Sequence, residues 1–132
     1  MANIERAVVG TLLTLSAAAW GRDSRLPLPS EARAAVRRLA LAAEQKDLKA
    51  IRAAMIKEFT WSFGGDNDAD QAVEEWRKDP RYLRQLGRVL RGRCNLRDRD
   101  HVDCPGGGGL SFRAGFVEVD AAWKLEFFVE GD

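Results

Sequence analysis

Phe112-Arg113-Ala114-Gly115-Phe116-Val117-Glu118-Val119, then Asp120-Ala121-Ala122, then Trp123-Lys124-Leu125-Glu126-Phe127-Phe128-Val129: this stretch decides how the chain is built. Successive side chains of a strand point to opposite faces. In the first run Phe112, Ala114, Phe116 and Glu118 share one face, and Arg113, Gly115, Val117 and Val119 the other. The second run is rich in the aromatic and β-branched residues that suit a pleated, half-buried surface. Two such runs across a short polar connection predict an antiparallel hairpin over residues 111–119 and 123–129. Just ahead, Pro105-Gly106-Gly107-Gly108-Gly109 reads as a loop, because consecutive glycines hold no regular element cheaply.

Upstream of Arg93 the period is that of a helix. Ala32, Ala35, Val36, Leu39, Ala40 and Ala43 recur at helical spacing, which predicts a helix over residues 31–46, entered from Pro29 and capped by Ser30. Asp47 caps a second, over residues 48–59, in which Leu48, Ile51, Met55 and Phe59 repeat the pattern. Thr60-Trp61-Ser62-Phe63 then reads as extended, with Trp61 and Phe63 on one side, and Gly64-Gly65 ends it. Ala72, Val73 and Trp76 form the apolar side of a third helix over residues 69–78. Pro80 opens a fourth, over residues 80–92, with Tyr82, Leu83, Leu86, Val89 and Leu90 inward and Gly92 at its close. The expected architecture is α+β: N-terminal helices packed on a C-terminal antiparallel sheet, in one domain over residues 30–132.

Composition bounds the rest. The chain has 132 residues, 21 Lys+Arg against 20 Asp+Glu, one His, and a formal net charge of +1. This is ordinary globular composition, which excludes wholesale disorder and fibrous classes. The near-balance of charge argues against a dedicated nucleic-acid binder. Residues 1–19 run in the order of a secretory signal peptide: a short polar start ending in Arg6, an apolar run from Ala7 to Leu15, and Ala17-Ala18-Ala19 as the cleavage site. Cleavage there leaves Trp20 first, followed by an irregular lead-in over residues 20–29. The alternative is an alanine-rich first helix of a cytosolic domain. The apolar run is well short of the ~20 residues that span a bilayer, so no stable membrane span is expected. The two cysteines, Cys94 and Cys104, agree with a periplasmic or secreted location, where an even count reads as a disulfide. Zinc is the competing reading, since His101 and Asp103 lie between them, but the chain offers no second Cys or His pair to complete four ligands. No metal and no cofactor is expected.

A resemblance can be placed on particular residues. Phe59-x-Trp61-Ser62-Phe63-Gly64-Gly65, Trp76-x-x-Asp79-Pro80, Cys94, Cys104-Pro105, Phe112-Arg113-Ala114-Gly115-Phe116 and the ending Phe127-Phe128-Val129-Glu130-Gly131-Asp132 together resemble a loose group of small exported bacterial proteins of unknown function. The group ends in an aromatic-Val-x-Gly-Asp stretch after a Trp-containing strand. Some longer members carry an SH3-like module in the space that here holds only the glycine loop, so no SH3-type groove is implied. The resemblance covers residues 47–132 and implies no chemistry. A second likeness, to NTF2-like folds, rests on Asp47-Leu48-x-Ala50-Ile51 and Phe59-x-Trp61.

Four constellations could carry function. Asp66, Asp68 and Asp70 start like a calcium loop, but Gln71 and Arg77 stand where that loop needs Gly and Glu, so helix capping is the simpler reading. Arg81, Arg84, Arg88 and Arg91 fall on one side of the fourth helix, opposite Leu83, Leu86 and Leu90. They form either a solvated face or a contact for an acidic partner. Trp61, Phe63, Trp76, Phe112, Phe116, Trp123 and Phe127 are mainly core material, with Trp20 the aromatic expected to be exposed. His101, with Asp100, Asp103 or Glu118, could serve as a general base, yet no Ser or Cys stands in a nucleophile context. The expectation is an exported, non-enzymatic binding protein of the cell envelope, inhibitor-like or immunity-like in one version. Its partner would be an envelope protein or polymer with an acidic surface, met by the four arginines. The alternatives are a small exported enzyme, with a pocket lined by Asp66, Asp68 or His101 and aromatics, and a structural envelope component.

Overall fold

A computed structural model of the chain describes residues 27–61, 67–106 and 112–131. The leader and most of the lead-in, Trp20, Phe63, Asp66 and Gly107, Gly108 and Gly109 of the glycine run lie outside the described residues. In chain order the elements are α1 (Ser30–Glu44), α2 (Leu48–Ala53), β1 (Met55–Thr60), α3 (Ala69–Lys78), α4 (Arg81–Arg91), β2 (Asn95–Asp98), β3 (His101–Cys104), β4 (Phe112–Val119) and β5 (Ala122–Glu130). The helices pack on one face of a five-stranded sheet of order β1-β5-β4-β3-β2. The sheet is antiparallel except that β1 runs parallel to β5.

The second helix is shorter than its sequence suggests. It ends at Ala53, and residues 55–60 form the edge strand β1. Met55 and Phe59 lie four apart, a spacing that puts both on one face in a helix or in a strand, so periodicity cannot separate the two. The sheet decides: the Leu125 amide donates to the Ala54 carbonyl at 2.7 Å, and Met55 and Phe59 are buried as strand residues. Ser30 does not cap α1 either. Pro29 takes the cap position in an extended conformation, no side chain caps the end, and the Pro29 carbonyl accepts from the Arg33 amide at 2.9 Å. Asp47 does cap α2, accepting from the Ala50 amide at 3.1 Å.

The hairpin read from the C-terminal sequence is present, with one irregularity that matters. Gly115 pairs with Phe127 and Phe116 with Leu125, which leaves Glu126 as a bulge. A bulge shifts which side chains face which way. It turns Phe128 into the core and Phe127, grouped above with the core aromatics, onto the face away from the helices. There the Phe127 ring lies over Gly115, where a Cβ would meet its edge at 2.1 Å. The two strands join through Asp120 and Ala121, both left-handed, at φ 51° and 67°. That is the tight hairpin turn whose twist matches the strands.

The core is aromatic and crosses every layer. Trp76 of α3 meets Phe59 of β1 and Phe128 of β5 edge-on, with centroids 5.6 and 5.8 Å apart. Phe128 stacks on Phe112 of β4 at 5.0 Å, and Phe112 receives Tyr82 of α4. Such pairs contribute about 0.5–1.5 kcal/mol each beyond the area they bury. Cys94 and Cys104 are joined by a disulfide across the β2–β3 hairpin, with Cα atoms 4.2 Å apart. No helix among the described residues is long and apolar enough to cross a membrane.

Candidate functional site

Helix α4 is amphipathic because its leucines recur every three or four residues. Leu83, Leu86, Val89 and Leu90 are buried, and the arginines are left on the opposite flank. Arg81 is engaged locally: its guanidinium reaches Asp79 at 3.2 Å and lies 5.4 Å from the Tyr82 ring centre. Arg91 crosses to α1, meeting Glu44 Oε2 at 3.1 Å. Its guanidinium passes over Gly87, where a Cβ would stand 3.3 Å from Nη2. Arg84 and Arg88 are exposed and have no acidic partner among the described residues. Two of the four sequence-selected arginines are therefore held by neighbours and two are open.

Beside this stripe, α1 and α4 enclose a cleft of about 590 Å³. Its walls are Leu28, Val36, Ala40, Leu41 and Leu90, and its rim carries Arg33, Arg37, Glu44 and Arg91. Leu41 is 52% exposed there, one of two large apolar side chains left open among the described residues. Sequence reading missed this half of the surface. Arg33, Arg37, Leu41 and Glu44 follow each other at helical spacing on one stripe of α1, which a search of α1 for its polar face would have found.

The other constellations are dispersed. Asp68 caps α3, accepting from the Asp70 and Gln71 amides, and Asp70 pairs with Arg52 of α2 at 2.7 Å. No group of His, Cys, Asp and Glu suited to a metal occurs among the described residues. His101 sits on β3, on the face away from the helices, since its neighbour Val102 is buried against them. Its Nδ1 lies 2.9 Å from Asp98 Oδ1, and its Nε2 lies 4.0 Å from Glu126. Neither carboxylate was among the partners expected for it. Asp98 sits across the two-residue turn, a place Asp favours for its own reasons. The His101 hydrogen bond, then the Asp100 amide, hold the Asp98 carboxyl below its usual range. His101 thus lies on the sheet face away from the helices, while Asp68 caps one of those helices.

No protein-family model matches the chain, and none of the curated proteins does. Among solved structures, an NTF2-like protein of unknown function from Pseudomonas putida KT2440 overlies 77% of this chain and 84% of its own, with a TM-score of 0.51 and 12% identity. The fold is NTF2-like. A second NTF2-like protein of unknown function, from Shewanella oneidensis MR-1, covers 80% of this chain and all of its own, at 14% identity and a TM-score of 0.49. An LEH-like epoxide hydrolase of M. tuberculosis overlies 80% of the chain at 15% identity and a TM-score of 0.46. At such identities the likeness is one of fold. The fainter of the two sequence resemblances is the one the NTF2-like neighbours match. No polar or charged residue is buried among the described ones, and the space between α3 and the sheet is filled by Phe59, Trp76 and Phe128.

Proposed function

We propose that the protein is an exported, non-enzymatic binding protein of the bacterial cell envelope. It engages an acidic macromolecular partner through the α1–α4 face, with Arg81, Arg84, Arg88 and Arg91 in the contact. The observation that carries this reading is the pairing of an open apolar cleft, exposing Leu41, with an arginine stripe in which Arg84 and Arg88 lack a counter-charge among the described residues. Apolar anchors with a charged rim are the usual anatomy of a protein contact, and the planar fork of Arg grips carboxylates bidentately. Export is supported by the three-part order of residues 1–19 and by the disulfide. An inhibitor-like or immunity-like role is the concrete version.

Two measurements test it. Mass spectrometry of the protein from its native host is expected to find an N-terminus near Trp20, outside the cytoplasm; a chain starting at Met1 in the cytosol refutes export. Pull-downs from envelope extract compare wild type with Arg84→Glu/Arg88→Glu and with Leu41→Asp. Reversing the two arginines is expected to slow association and flatten its salt dependence, because rim charges act on the encounter. Leu41→Asp is expected to raise the dissociation rate. Identical partner profiles from three folded proteins remove this face from the reading.

A further inference from the structure

Helix α1 has a second open side. Away from the arginine cleft, it forms with α2 and the β4–β5 turn a groove of about 540 Å³. The walls are almost entirely methyl groups: Ala34, Ala35, Ala42, Ala50, Ala53, Ala54, Ala121 and Ala122. The floor is Leu39, Phe116 and Trp123. Helix–sheet interfaces normally close with larger side chains that interdigitate. Here alanines on three separate elements leave the gap unfilled, and the volume falls in the range of small-molecule sites. One alanine is kept against its own conformational preference: Ala121 has φ 67°, where Gly is the natural choice.

The charged groups of the groove give its occupant a direction. Arg38 is exposed and has no acidic partner among the described residues. Lys124 pairs with Val117, the partner of His101, so its side chain leaves β5 on the face away from the helices, and its ammonium donates to the Ala53 carbonyl at 2.9 Å. Glu31 lies two helical turns before Arg38, about 10 Å along α1. An anion is therefore favoured beside Arg38 and disfavoured beside Glu31. We infer that this groove binds a single monomeric amphiphile with an apolar chain and a carboxylate head. The chain lies along the alanines, and the head meets Arg38. The site shares no lining residue with the arginine cleft, so the two stand or fall separately.

The test is calorimetric titration of the full chain with dodecanoate and with dodecyltrimethylammonium, each below its micelle concentration. Saturable one-to-one binding of dodecanoate is expected, at least about tenfold tighter than the cation. Arg38→Glu is expected to abolish that preference. Ala50→Trp, at an exposed wall position, is expected to fill the groove and weaken both ligands at least about tenfold; Ala53→Trp is the second filling variant should the first not fold. Equal affinity for the two head groups, no binding, or affinity untouched by the filling variants overturns the inference. So does binding to phosphatidylglycerol vesicles that dodecanoate does not compete, which would mark a membrane-surface contact.

Discussion

Replacing Gly115 by alanine is expected to change sign with its background. A Cβ built at Gly115 meets Phe127 at 2.1 Å (Cε2), 2.5 Å (Cζ) and 2.9 Å (Cδ2), so the ring must leave its place over the strand. Overpacking of this kind costs about 1–3 kcal/mol. Phe127 is only half-buried on the open face, and its ring can swing outward, which places the expected loss at about 1–2 kcal/mol. With Phe127→Ala in place the obstacle is gone. The same substitution then benefits from reduced backbone freedom in the unfolded chain and stabilises by about 0.5–1 kcal/mol. The coupling energy of the cycle is therefore about 1.5–3 kcal/mol, large for a single pair of residues. Urea denaturation of the four proteins under non-reducing conditions, with the slope checked for constancy, measures it. A Gly115→Ala effect of one sign and similar size in both backgrounds refutes the packing of Phe127 on Gly115, and with it the assignment of Glu126 to the bulge.

Ala121→Gly is expected to stabilise by about 1 kcal/mol, read in the same urea experiment, because Gly adopts the left-handed turn without the Cβ penalty; a loss of stability would show that φ is not positive there. Reducing Cys94–Cys104 is expected to destabilise by about 2–3 kcal/mol in a chain-entropy account, measured by adding dithiothreitol to the denaturation series. Asp98 has a lowered pKa in the folded protein, so its contribution is complete above the unfolded value and is lost as pH falls through the folded one. An NMR titration of its carboxyl is expected to give a midpoint below 3.8, and His101→Ala is expected to move that midpoint upward.

Fold class and most elements were legible because the periods of α1, α3, α4 and the β4–β5 hairpin each fit one structure. What failed did so for identifiable reasons. Met55 and Phe59 satisfied two periods at once, and only a strand partner near Leu125 could choose between them. The bulge at Glu126 broke the alternation, so that Glu126 and Phe127 in succession face away from the helices between the buried Leu125 and Phe128. In the candidate site the arginine stripe was visible, since it lies on one helix. The pairing of Arg91 with Glu44 was not, nor the cleft with Leu41, because both depend on how α1 and α4 dock. The Asp98–His101 pair needed the two-residue turn between β2 and β3, which the charge density of that segment conceals.

Strand β5 lies between β1 and β4, and this order sets a timetable. The Lys124 side chain reaches the Ala53 carbonyl across 71 residues of sequence, and among the described residues the only strand ladder of β1 is with β5. While the chain is being made, β1 therefore emerges long before its partner and cannot complete a sheet. Contacts so distant in sequence form slowly, since the intervening loop must close before they bring any return. A nascent chain of this topology stays open until its last strand exists. That delay is a hazard for a cytosolic protein and an asset for one that must be threaded through a membrane unfolded.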